Sequence, residues 1–108
     1  MMLGEIIQRL EKEDPNRVVP LGWNRAYSWR GIYSELAVNP AKNVPIKKML
    51  EVLKDSLGQT FTGYKGGEYQ MGEYTDVYLD LWGRSNGNRI GFYLLEFLLG
   101  NTPEPETY

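Results

Sequence analysis

Pro45-Ile46-Lys47-Lys48-Met49-Leu50-Glu51-Val52-Leu53-Lys54-Asp55-Ser56-Leu57-Gly58, followed at once by Gln59-Thr60-Phe61-Thr62-Gly63-Tyr64-Lys65-Gly66-Gly67-Glu68-Tyr69-Gln70-Met71, decides the fold class. The first half has helical spacing. Ile46, Met49, Leu50, Leu53 and Leu57 form one apolar stripe, and Lys47, Lys48, Glu51, Lys54 and Asp55 fall on the wet side. Pro45 stands at or near the first helical position, where a missing N–H costs nothing, and Gly58 is a C-terminal stop. The second half changes period: Gln59 to Tyr64 reads as a strand entering a Lys65-Gly66-Gly67 turn, with Glu68 to Met71 returning from it. A helix feeding a tight antiparallel pair implies an α+β domain.

The flanks agree. Leu3, Ile6, Ile7 and Leu10 recur at i, i+3, i+4 and i+7, a short amphipathic helix that must stop before Pro15. Arg17 to Leu21 reads as a short strand that Pro20 confines to a sheet edge or a strand end. Trp23 to Tyr33 has no clean period, and Ile32, Leu36 and Val38 suggest an extended segment ending at Asn39-Pro40. Farther on, Asp76 to Trp82 alternates strictly: Val77, Leu79 and Leu81 share one face, and Asp76, Tyr78, Asp80 and Trp82 the other. Ser85-Asn86-Gly87-Asn88 is a tight-turn signal. Beyond it, Ile90, Tyr93, Leu94, Phe97 and Leu98 fit a third helix closed by Gly100-Asn101, with a strand over Arg89 to Tyr93 as the competing reading. The expectation is one α+β domain over residues 1–101, a small antiparallel sheet packed with about three helices, and a flexible tail over 102–108.

Composition narrows the chemistry. The chain has 108 residues, 42% of them apolar, the size of one domain with its own core. Twelve Lys plus Arg stand against 14 Asp plus Glu, a net charge of −2, without the basic footprint that duplex nucleic acid demands. A pocket for a small anion needs only local cations. There is no Cys, which excludes disulfides, thiolate zinc sites and cysteine nucleophiles. There is no His either, which removes the commonest general base, the serine-triad partner and most transition-metal sites. The composition points away from catalysis, with no catalytic residue, metal or cofactor assigned. Glu5 interrupts any signal-peptide reading of the start, and the apolar run Ile90 to Leu99, broken by Gly91 and Glu96, is too short to span a bilayer. No membrane partner is expected, and the protein is expected in the cytoplasm.

Two segments carry the candidate chemistry. Gly22-Trp23-Asn24-Arg25-Ala26-Tyr27-Ser28-Trp29-Arg30-Gly31-Ile32-Tyr33 interleaves aromatic rings with two Arg and two Gly. Rings stack on a base, and a guanidinium fork grips a phosphate through paired hydrogen bonds. The plainer alternative has the rings plugging the core and Arg30 pairing with Glu35 on the surface. Thr60 to Tyr69 places Lys65 and Gly66 in a glycine-flanked turn, where an ammonium and backbone donors can converge on an anion, although the Walker A spacing is absent. An ordinary glycine hairpin with a solubilising Lys is the alternative. A third set, Glu68, Glu73, Asp76 and Asp80, is weaker. Asp76 and Asp80 lie about 13 Å apart along one strand face, too far to share a metal ion, and read best as a solvated face.

These stretches resemble a group of small bacteriophage-encoded proteins. The group's pattern is an L-G-E-x-I opening helix, S-Y-R-G-x-Y-x-x-L-A, G-x-T-F-x-G-Y-K-G-G-x-Y/F-x-M and T-D-x-W/Y-L. Here those positions are Leu3 to Ile7, Ser28 to Ala37, Gly58 to Met71, and Thr75 to Leu79, so the likeness covers most of the chain up to about residue 99. It departs at Trp29, where Tyr is usual, and over Trp23 to Tyr27, which lacks the usual His. Through that group the chain resembles the anti-CBASS sponge family, which sequesters cyclic nucleotide messengers of bacterial immunity without cleaving them. The resemblance implies Arg30, Tyr33, Tyr64 and Lys65 as ligand contacts and a host bacterial cytoplasm as the setting. With the two segments it gives an expected ligand-binding set of Arg25, Tyr27, Trp29, Arg30, Tyr33, Tyr64, Lys65 and Gly66, and a homo-oligomer, a dimer, enclosing a cyclic nucleotide. The alternatives are a protein-binding inhibitor or adaptor with an aromatic-rich surface, and a carboxylate and Mg²⁺-dependent phosphodiesterase.

Overall fold

The computed structural model describes residues 1–63, 65–80 and 87–101. Nine elements follow one another there: α1 (Leu3–Leu10), β1 (Val18–Ser28), β2 (Leu36–Pro45), α2 (Ile46–Ser56), β3 (Thr60–Thr62), β4 (Glu68–Gln70), β5 (Val77–Asp80), β6 (Gly87–Arg89) and α3 (Phe92–Leu98). The α+β class and the three helices are as read from the sequence. The expectations on Tyr64, Leu81, Trp82, Ser85, Asn86 and the tail lie outside the described residues.

Both predicted stripes make core. Leu3, Ile6, Ile7 and Leu10 of α1 are all buried. The start of α1 is fixed by backbone bonds from Leu3 N–H to the Thr75 carbonyl at 2.7 Å and from Gly4 N–H to that of Glu73 at 2.9 Å. In α2 the buried face is Ile46, Met49, Val52, Leu53 and Ser56. It is rotated from the predicted stripe toward Val52 and Ser56: Leu50 is only partly buried, and Leu57, outside the helix with an extended backbone, is 44% exposed. Gly58 takes φ +82°, the left-handed conformation that ends the helix.

The main sheet has the order β1-β2-β5-β6, with β3 and β4 forming a separate antiparallel hairpin. The main sheet is mixed rather than purely antiparallel: β2 and β5 run parallel, with Leu36 beside Val77 and Val38 beside Leu79. The connection between them carries α2 and the hairpin, and a crossover of that length brings the second strand back in the same direction. β1 is an edge strand, as Pro20 requires, but it runs on to Ser28, its period broken by a register shift between Trp23 and Ala26. The extended segment expected to stop at Asn39-Pro40 continues to Pro45. β5 pairs only with residues 36 to 38 of β2, so Pro40 faces no β5 partner and sits opposite Trp23 at the bulge. Arg89 to Tyr93 divides between the two readings: β6 ends at Arg89, Ile90 is buried at the junction, and α3 begins at Phe92.

Leu36, Val38, Val77 and Leu79 on one sheet face share a core with the three helices, and burying each such side chain contributes about 1.5–3 kcal/mol. Trp23 is fully buried in it and donates its indole N–H to the Met49 carbonyl at 3.2 Å. Arg9 ties α1 to α3 by a two-pronged contact with Glu96, at 2.7 and 2.9 Å, and also donates to Glu13 at 2.9 Å. Hydrogen bonds from that guanidinium, more than any other influence, hold the Glu96 and Glu13 carboxyls below the usual carboxylate range. Arg17 adds a bond to Glu13 at 2.6 Å and another to the Leu99 carbonyl. Among the described residues no helix is long and apolar enough to cross a membrane.

Candidate functional site

The second face of the main sheet carries the polar side chains of β5, and it is covered rather than wet. Tyr78 lies flat against the Trp29 ring, with centroids 3.7 Å apart and planes within 14°. Asp80 is fully buried and accepts a hydrogen bond from the Tyr27 hydroxyl. The solvated carboxylate face expected for this strand is therefore corrected at Asp80, because a tyrosine brought in by β1 supplies a donor that lets the charge be buried. Burial first, then Asp80, pushes the Tyr27 phenol well above its ordinary value.

Tyr27 and Arg30 stand on the rim of a cleft of about 420 Å³, within the usual size range of small-ligand sites. Arg25, Ser28, Asn39, Phe61 and Thr62 complete its lining. β1 contributes most of one wall. Arg25 is held over the Tyr27 ring, 5.3 Å from its centroid, in a cation–π contact. The hairpin contributes Phe61 and Thr62. It is locked to the first segment by Tyr33, whose ring stacks on Tyr69 at 6.0 Å. Gly63 makes that approach possible: a Cβ there would meet the Tyr69 ring at 3.0 Å and the Tyr33 ring at 3.2 Å. The two sequence segments thus meet in space.

Of the expected contacts, Arg25, Tyr27 and Arg30 line the cleft. Trp29 and Tyr33 do not: each ring is committed to another tyrosine within the fold. Trp29 is buried, and its indole N–H lacks a partner among the described residues. Lys65 and Gly66 are exposed in the turn after Thr62, outside the cleft lining, with Gly66 at φ +95° and its N–H bonded to the Gly63 carbonyl at 2.9 Å. Tyr64 lies outside the described residues. Glu35, the proposed surface partner of Arg30, accepts the backbone N–H of Asp76 at 2.6 Å. Ser28, Asn39, Phe61 and Thr62 line the cleft but were not among the expected contacts, although Ser28, Phe61 and Thr62 lie within the two candidate segments. Phe61 and Thr62 carried a signal in their place on the predicted hairpin strand, whereas Asn39 carried none.

Chemically, the cleft offers two guanidinium groups, hydroxyl and amide hydrogen-bonding groups and two aromatic rings, that of Tyr27 already carrying Arg25 over it. That set suits an anion attached to an aromatic ring. The other carboxylates are dispersed: Asp76 accepts from Arg89 at 2.8 Å, and Glu68 and Glu73 are exposed. Among the described residues no three Asp or Glu side chains gather as a metal site. No family model, no curated protein and no solved structure matches this chain.

Proposed function

We propose that this chain binds and sequesters a cyclic nucleotide or oligonucleotide messenger without cleaving it, as a phage anti-CBASS sponge. One observation carries the reading: Arg25 and Arg30 share a cleft with the rings of Tyr27 and Phe61. Guanidinium forks give charge-assisted, paired bonds to phosphate, and stacking on a ring contributes about 1–3 kcal/mol per base. Net acidity is no obstacle, because the described lining of this cleft carries two cations and no carboxylate. A cyclic dinucleotide is larger than one such cleft encloses, so the reading includes a second copy of the chain closing over it, in the bacterial cytoplasm.

The test is retention. The full chain is incubated with a panel of cyclic dinucleotides, freed of unbound ligand and heat-denatured, and the released material is identified. Intact ligand supports sequestration, and a degraded one supports the phosphodiesterase. Arg30→Ala is expected to lose retention while keeping the fold by circular dichroism. Failure of the wild type to retain any of the panel favours a second reading with its own observation. Phe92 and Tyr93, at the start of α3, are 67% and 52% exposed, and such rings suit a protein-binding inhibitor or adaptor.

A further inference from the structure

A second cleft, of about 350 Å³, adjoins the first and shares Arg25 and Phe61 with it. Its other wall is one face of α2, where Lys48, Glu51 and Asp55 recur at i, i+3 and i+7, and Asn24 and Gln59 close it. The net charge of the lining falls from one cleft to the next, from two positive charges to none. The first cleft holds two guanidiniums, whereas the second holds two carboxylates and only Lys48 besides Arg25. Lys48 is already paired with Glu51 at 3.1 Å. Among the described residues the Asp55 carboxylate makes no hydrogen bond or ion pair.

We propose that this second cleft reads the base of the ligand and selects a guanine. The inference rests on the phosphate-binding reading of the first cleft. With Glu51 held by Lys48, the Asp55 carboxylate offsets Arg25, so a second phosphate meets no surplus of cations there and the groove fits a ligand that is anionic at one end and donor-rich at the other. Among the nucleobases, guanine presents two parallel N–H donors on one edge, N1–H and the 2-amino group, and a carboxylate accepts both at once. Adenine presents one donor beside the N1 lone pair, which faces a carboxylate unfavourably. Asp55 is the acceptor, Phe61 offers its ring between the two halves, and Arg25 bridges them.

Isothermal titration calorimetry of the full chain with cyclic di-GMP and cyclic di-AMP tests this. The wild type is expected to prefer cyclic di-GMP by roughly tenfold or more, the discrimination a two-pronged base contact gives. Asp55→Asn is expected to bring the two affinities within about threefold of each other by weakening cyclic di-GMP. Equal affinities in the wild type, a preference for cyclic di-AMP, or a preference that survives Asp55→Asn overturns the base-reading cleft and leaves the phosphate cleft standing. Binding of neither compound removes the phosphate cleft, and the base-reading cleft with it.

Discussion

Tyr27→Phe separates the two things Tyr27 does. The substitution keeps the ring under Arg25 and removes only the hydroxyl that donates to the fully buried Asp80. A hydrogen bond to a charged group contributes about 1.5–3 kcal/mol, and a buried acceptor left short of a donor costs a similar amount. Asp80 has interactions besides Tyr27, which places the loss near the lower end, about 1.5 kcal/mol. For a domain of this size that is a fall of about 6 °C in Tm. Urea denaturation followed by fluorescence gives the free energy, and a thermal melt the temperature. The pH dependence adds a second signature. The folded state raises the Tyr27 phenol above its ordinary value of 10.0, so its contribution is complete below that pH and is lost as pH rises past it. The gap between wild type and Tyr27→Phe therefore narrows above about pH 10. A variant as stable as wild type at neutral pH, or a gap that widens in alkali, refutes the account of Asp80.

Three further outcomes follow from the packing. Trp29→Ala loses the stack on Tyr78 and is expected to cost about 3–5 kcal/mol by urea denaturation, whereas Trp29→Tyr, which keeps a ring there, costs less. Glu96 and Glu13 sit below the usual carboxylate range when folded, so the stability they contribute is present above pH 4.5 and lost as pH falls through their folded values. An acid titration of Glu96→Gln should accordingly be flatter than that of wild type, and parallel curves would contradict the Arg9 clamp. Gly58→Ala introduces a side chain at φ +82° with open space around it, so the cost is purely conformational, about 1–2 kcal/mol by chemical denaturation.

How much was legible in the sequence depended on the range over which each feature is determined. The α1 and α2 stripes and the β3–β4 hairpin are set by neighbours a few residues apart, and periodicity showed them. β1 escaped a full reading because its bulge between Trp23 and Ala26 breaks the alternation where the aromatics cluster. The parallel pairing of β2 with β5 joins residues far apart in the chain and leaves no local mark. Asp80 on an alternating strand reads as wet; its burial depends on a hydroxyl 53 residues away. At the candidate cleft, the residue types in the first segment indicated Arg25, Tyr27 and Arg30. They could not show that Trp29 and Tyr33, of the same types, are consumed by tyrosines from β5 and β4. Nor did the wet face of α2 reveal that it forms the wall of a cleft.

The central claim is tested most directly by backbone amide chemical-shift mapping of the full chain during titration with cyclic di-GMP. The account predicts saturable shifts over Asn24 to Arg30, at Asn39 and at Phe61 and Thr62, with α1 silent. Shifts confined to Phe92, Tyr93 and the rest of α3, or none at millimolar ligand, would contradict it.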